Sequence, residues 1–476
     1  MPPPTLLQTH ISRALRLLDR RLCRPCRRCC CCCCCCYLRP RTTRPYSAVT
    51  AAPPRTEHFE VPCRSNGSIT IDVYHATRKA SPILIYLPPG PVLPGHAEEE
   101  EHIMSSLAAS SAATIARINY RASVAHPYPT PFHDVVTGYD WIVDNLLRDE
   151  FHRPHLGRLG VCGQLVGGSL ATMLALTECR VGENRLAAAA VNNPIVDWVF
   201  PDELPSVGAS ELPEPSGADD TAFPADVESA IPQPLTASIR KQNKPATKKP
   251  SLTAWQAHGD NATIPTLTLS AERDMLFRRP GDYFDRFASP IHFFRSPHAH
   301  MIFPEQDDMS ASQQPEDLLD REAQFALNHH ASAAGKTKAS PVVATLSRCR
   351  AYARNYPPAG SFLKLPVWHI TTGLQSPLSD QALDLAKGVQ RSLARQRLKS
   401  QSGRTRWLDA AEKKVYEQWA QEQVQLQSQQ GIGLWSPSDK DEDENWTAPV
   451  TRVGIWMKQR LETDFVRKGT MCPRPK

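Results

Sequence analysis

The chain has 476 residues, 41% of them hydrophobic, and a formal net charge of +6. That length holds one large α/β domain with insertions or two ordinary domains, and no apolar run approaches the roughly 18 residues of a membrane span. The excess charge is local: Arg13, Arg16, Arg20, Arg21, Arg24, Arg27, Arg28, Arg39, Arg41 and Arg44 face a single acid, Asp19, before Tyr46. No helix-turn-helix, zinc-finger or aromatic RNA-binding pattern accompanies them, which argues against a nucleic-acid partner.

Residues 1–57 read as a leader. Leu7, Ile11, Ala14, Leu15, Leu18 and Leu22 share one helical stripe, and most of the arginines fall off it. An amphipathic, arginine-rich, acid-poor start is the pattern of a mitochondrial transit peptide, with Arg44 just ahead of a cut near Ser47. The alternative is a disordered basic tail on a cytoplasmic protein. The leader also holds Cys23, Cys26 and the unbroken run Cys29 to Cys36. Eight adjacent thiols do not have the spaced pairs that hold zinc, so low complexity is the reading, and no metal is expected. Cys63, Cys162, Cys179, Cys349 and Cys472 are odd in number and scattered, and give no disulfide framework.

A core is expected over 58–303. Phe59–Ser65 and Ser68–Tyr74 flank Asn66-Gly67, a two-residue hairpin turn. Short apolar runs follow at Pro82–Leu87, Ala113–Asn119, Arg158–Cys162, Ala187–Asn192, Ile264–Ser270 and Ile291–Arg295, read as strands with helices between most of them. That alternation predicts an α/β fold with a mainly parallel sheet covered on both faces. A Pro, Ser, Ala and Glu-rich insertion at about 201–250 reads as lid-like, 304–345 as a low-order linker, and 346–476 as a helical extension packing on the core. Its stripes are Ala382, Leu385, Ala386, Val389, Leu393 and then Leu408, Ala411, Val415, Trp419.

Chemistry centres on Gly160-Val-Cys-Gly-Gln-Leu-Val-Gly-Gly-Ser169. This has the outline of a nucleophile elbow, a strand turning through glycines into a helix with the reactive side chain at the bend. Four further stretches keep order with it: Tyr86-Leu-Pro-Pro-Gly-Pro91, Asn119-Tyr-Arg through His126-Pro-Tyr-Pro to Asp134, Ser270-Ala-Glu-Arg-Asp-Met-Leu276, and Ser296-Pro-His-Ala-His300. Together they resemble the α/β-hydrolase fold, of the hormone-sensitive-lipase and arylacetamide-deacetylase type of carboxylesterase, over roughly Pro82 to Phe303. The resemblance implies Asp274 as triad acid and His298 as general base, with His300 the alternative base. It needs no cofactor.

Two departures bear on the chemistry. Leu165 stands at the nucleophile position and has no atom able to attack a carbonyl. Pro88, Pro89 and Pro91 fill the oxyanion loop around Gly90, and proline has no N–H to donate, which leaves Gly90 and Val166 as backbone donors. Ser169 lies a turn beyond the bend and Cys162 in the strand before it. The leading expectation is a catalytically impaired member that binds a small apolar or ester-like ligand or a protein partner. The competing one is an ester hydrolase with an unconventional nucleophile or an activated water.

Overall fold

The computed structural model describes residues 55–63, 67–76, 81–93, 97–147, 158–182, 185–201, 204, 223–224, 252–302, 345–435 and 447–469. The leader up to residue 54, its cysteine run, Cys472, most of the insertion at 201–250 and the linker to residue 344 lie outside the described residues.

Strands β1 (Thr56–Pro62) and β2 (Ser68–Tyr74) form the hairpin, paired from Thr56 with Tyr74 to Pro62 with Ser68, with Gly67 left-handed at φ 83°. The sheet continues through β3 (Ile83–Leu87), β4 (Thr114–Asn119), β5 (Leu159–Gln164) and β6 (Leu186–Asn192). Three minor strands follow: β7 (Phe223–Pro224), β8 (Ala299–Ile302) and β9 (Thr345–Arg348); β10 (Tyr352–Ala353) pairs with β7, and β8 with β9. The last two strands, β11 (Val367–Gly373) and β12 (Val424–Gln429), return to the main sheet. Its order is β1-β2-β4-β3-β5-β6-β11-β12, antiparallel at β1/β2 and β2/β4 and parallel from β4 onward.

Residue alternation decides what covers each face. Ile83, Ile85 and Leu87 of β3, Val161 of β5 and Ala189 and Val191 of β6 belong to one core. It is covered by α2 (Thr130–Asn145), α3 (Leu165–Thr177) and α6 (Ser379–Ser402), the last preceded in the chain by α4 (Ala254–Ala257) and α5 (Thr266–Leu276). Leu84, Tyr86, Cys162, Ala188 and Ala190 point the other way, under α1 (Ala97–Ser111) and the carboxy-terminal α8 (Ala448–Gly469). Those helices meet closely, since a Cβ on Gly454 would overlap Ser110. Between α6 and β12 lies α7 (Ala410–Gln423). Every residue of α3 from Leu165 to Leu176 is buried, as expected of a helix enclosed on all sides.

Three expectations change. Residues 346–476 are more than a helical extension, because β11 and β12 complete the central sheet beside β6. Residues 264–270 were expected as a strand, but α5 begins at Thr266; the buried set Leu269, Glu272, Arg273 and Leu276 has helical spacing. Residues 291–293 lie in a 3-10 turn over Pro290–Phe293 instead of a strand, and Arg295 makes an isolated antiparallel bridge with Ala353. Among the described residues no helix is long and apolar enough to cross a membrane.

Candidate active site

The elbow forms as its glycines require. Gln164 ends β5 in extended conformation (φ −127°, ψ 154°), and Leu165 reverses the chain at φ 52° into α3. A Cβ on Gly163 would stand 2.5 Å from the Gly167 carbonyl oxygen, and one on Gly167 would overlap the Leu87 and Pro88 carbonyl oxygens. The bend is therefore pressed against the loop after β3. In that loop Gly90 is left-handed (φ 80°), and a Cβ there would come within 3.0 Å of both Val166 Cβ and the Tyr120 hydroxyl. Tyr120 donates to the Pro88 carbonyl at 2.7 Å. Leu165, Val166, Pro88 and Gly90 thus gather at one point, with Pro89 between the last two in the chain. Just behind this loop, Arg121 grips Asp134 through its backbone N–H, Nε and Nη2 at 2.7–2.9 Å, with the carboxylate side chain only 1% exposed.

The expected acid and base are not brought together. Asp274, near the end of α5, is 64% exposed and paired with Arg273 at 2.8 Å. The carboxylate that faces His298 is Asp197, in the loop after β6: Asp197 Oδ2 is 3.3 Å from His298 Nδ1 and 2.9 Å from Arg295 Nη2. Burial alone would raise the Asp197 carboxyl, but His298 and Arg295 outweigh it and hold it well below the ordinary carboxylate range. Arg295 Nη1 also lies 3.2 Å from His298 Nδ1. A triad base needs its Nδ1–H donated to the acid, leaving Nε2 to take the nucleophile's proton; here a guanidinium competes for Nδ1. His300, on β8, has a buried Nδ1 without a hydrogen-bond partner among the described residues. The carboxylate pairing was missed because Asp274 was assigned from a motif lying in a helix, whereas Asp197 follows a strand end, Val191-Asn-Asn-Pro-Ile-Val-Asp197, that was readable as such.

Open α/β sheets place their ligands and reacting groups at the carboxyl ends of the parallel strands. In this chain those ends are stitched together by neutral groups. Asn192 Nδ2 donates to Thr371 Oγ1 (2.8 Å) and the Gly433 carbonyl (2.7 Å). Asn193 Nδ2 donates to the Ile432 carbonyl (3.1 Å), while its Oδ1 accepts from Thr372 Oγ1 (2.9 Å). Gln164 Oε1 accepts from Trp435 N–H at 3.1 Å. Where β11 and β12 end, Leu374-Gln-Ser-Pro-Leu378 and Gln430-Gly-Ile-Gly-Leu434 contain neither carboxylate nor histidine.

Substitute nucleophiles fare no better. Ser169, 3% exposed, directs its hydroxyl to the Ala288 carbonyl (3.4 Å). Cys162 is fully buried on the opposite sheet face, and burial pushes its thiol far up, away from the reactive thiolate. Beside α3 runs a cavity with about 30 Å³ of room, lined among others by Val166, Ser169, Tyr128, Trp198, Leu276 and Phe277. That is space for one or two water-sized groups.

Residues 84–290 match the family model described as alpha/beta hydrolase fold. No curated protein matches the chain. Among solved structures, carboxyl esterase 2 of the mycorrhizal fungus Tuber melanosporum is 11% identical, with a TM-score of 0.48 over 88% of this chain and 89% of that one. The hyperthermophilic esterase of the archaeon Pyrobaculum calidifontis is 15% identical, with a TM-score of 0.46 over 85% of each chain. The carboxylesterase EstE1, from a metagenomic library, is 14% identical, with a TM-score of 0.46 over 86% of this chain and 90% of that one.

Proposed function

We propose that this chain, whose residues 84–290 carry the alpha/beta hydrolase fold of the carboxylesterase type, no longer cleaves esters and instead holds a small, largely apolar ligand beside its elbow. The observation that carries this reading is Leu165 itself. It keeps the left-handed backbone of the elbow, φ 52°, and is fully buried, so the bend survives with no atom that can attack a carbonyl.

The rest of the site supports the same reading. An oxyanion hole works by aiming N–H donors at the developing charge, and each lost donor costs about 2.7–4 kcal/mol of transition-state stabilisation. Pro88, Pro89 and Pro91 donate nothing. The neutral seam of Asn192, Asn193, Thr371 and Thr372 occupies the strand ends, and His298 is engaged by Asp197 and Arg295. Water activation at His298 would still lack the donors that Pro88, Pro89 and Pro91 do not supply.

Hydrolysis of short-chain nitrophenyl esters by the wild type, Leu165→Ser and His298→Ala tests this. All three are expected to match the uncatalysed rate, the serine variant included, since Arg295 competes with Asp197 for His298 Nδ1 and the prolines of the loop after β3 supply no oxyanion donor. Turnover by the wild type that disappears in His298→Ala would overturn the reading and make the chain a hydrolase.

A further inference from the structure

The stripe of Leu408, Ala411, Val415 and Trp419 has the spacing of a core-facing helix, yet the structure packs only one of its members against the core. Trp419 lies on the core, whereas Leu408 is 77% exposed, Val415 is 63% exposed, and Ala411 is exposed between them. A single exposed leucine calls for no explanation. A run at helical spacing along one side of α7 does.

Helix α7 runs without a loop into β12, the outermost strand of the main sheet, and no described strand pairs with the free edge of β12. In a parallel pair each residue turns both backbone groups to one side, and the next residue turns both to the other. The Gln429 carbonyl accepts the Leu374 N–H, at the end of β11, at 2.8 Å. By that alternation Gln425, Gln427 and Gln429 serve β11, and the backbone groups of Leu426 and Ser428 point outward. Open edges recruit further strands, and proteins blunt them with charge or proline. The opposite edge strand, β1, carries Glu57, Glu60 and Pro62, but Val424 to Trp435 contains no charged residue and no proline. One edge of the sheet is guarded, and the other is left fit for pairing.

We propose that α7 and the free edge of β12 form the contact between two copies of this chain, related by a two-fold axis. Antiparallel pairing of the two β12 strands about Leu426 sets Leu426 opposite its own counterpart and Val424 opposite Ser428, so the outward N–H and C=O of Leu426 are satisfied reciprocally. The charges on α7 suit the same symmetry. Lys414 and Glu422 are both exposed, and an antiparallel copy of the helix brings each opposite the other sign, where a parallel neighbour would set like charges together. Leu408, Ala411 and Val415 then meet apolar surface instead of water. An unrelated partner would require none of this self-complementarity, and so a second copy is the occupant. Strand β12 stands three strands along the sheet from β5, which ends at the Leu165 bend, and the contact is independent of the ligand-holding reading.

Sedimentation equilibrium of the full chain at micromolar concentration tests this, with a thiol reductant present so that the leader's cysteines do not cross-link it. The wild type is expected at twice the monomer mass. Ser428→Pro removes an N–H that the ladder to β11 does not use, and Val415→Glu places a charge in the exposed stripe. Each enters a two-fold interface twice, and each is expected to raise the dimer dissociation constant about tenfold. Lys414→Glu is expected to weaken association several-fold, and Glu422→Lys added to it to restore the wild-type constant, a rescue that loss of folding could not produce. A wild type that sediments as a monomer overturns the proposal, and so does a dimer that neither Ser428→Pro nor Val415→Glu weakens. A monomer whose Leu426 and Ser428 amides exchange slowly overturns it in favour of a segment of this same chain as the cover of the edge.

Discussion

Leu165 keeps a backbone conformation that costs a side chain with a Cβ about 1–2 kcal/mol, a cost that any residue other than glycine would meet at this bend. Its neighbours explain why the bend persists: Gly163 and Gly167 admit no Cβ, with the Leu87 and Pro88 carbonyls pressed on Gly167, and Gly90 is packed on Val166. This much was legible in the sequence, because glycine spacing and the missing hydroxyl are local facts. The partner of His298 was not, since it depends on which loop folds back over the β6 end, and a helix-borne Asp-Met-Leu mimicked a strand-end acid. The Arg121–Asp134 pair shows how firmly the elbow's surroundings are fixed. With its carboxylate side chain 1% exposed and three donors upon it, Asp134→Ala leaves a half-buried guanidinium and a buried backbone N–H uncompensated. We expect a loss of about 3–5 kcal/mol, read as a fall in the urea midpoint, with Asp134→Asn losing less because an amide oxygen still accepts.

At the scale of elements, the early strands could be read and the late ones could not, for a definite reason. Strands β3 to β6 are near-continuous apolar runs set between helices, and their order in the chain places them together. Strand β11, Val367-Trp-His-Ile-Thr-Thr-Gly373, is equally rich in β-branched and aromatic residues and is bounded by Pro366 and Gly373. It was overlooked because 174 residues separate Asn192 from Val367, and the segment between changes composition twice. By contrast, Thr266-Leu-Thr-Leu269 alternates like a strand, yet as α5 it leaves Leu267 83% exposed and buries Leu269 completely. The consequence is testable. A chain ending at residue 345 retains the whole family match, but it uncovers β6 along its full length and strips α6 and α8 from both sheet faces. Burial of each side chain such as Val389, Leu393, Met457 or Leu461 contributes about 1.5–3 kcal/mol, so the truncated chain is expected not to fold, giving collapsed amide NMR dispersion and rapid proteolysis. A well-dispersed spectrum would mean that the carboxy-terminal third is an accessory after all.

For the whole molecule, stability against pH sums groups that titrate abnormally because they are buried, and their signs oppose one another. His292 and His369 are both depressed to about 4, chiefly by burial. The unfolded chain binds their protons near pH 6.5 and the folded one only near 4, so they make stability fall as pH drops from 6.5 to 4. Glu272 has the reverse sign: raised to about 7 by burial, it keeps its proton when folded and loses it near 4.5 when unfolded. Its share of stability is present below pH 4.5 and is lost as pH rises to 7; Glu178, also raised by burial, acts in the same sense. Asp197 contributes above the ordinary carboxylate range near 4 and loses its share only in stronger acid. Between pH 4.5 and 6.5 the two histidines and Glu272 therefore pull in opposite directions, and removing either kind of group must tilt the curve oppositely. Glu272→Gln is expected to steepen the rise of unfolding free energy with pH by about 1.4 kcal/mol per unit, one proton's worth. His369→Gln is expected to flatten it by a similar amount. Urea titrations at half-unit pH steps across that window measure both slopes. If Glu272→Gln leaves the slope unchanged, Glu272 ionises at its ordinary value and is solvated or paired.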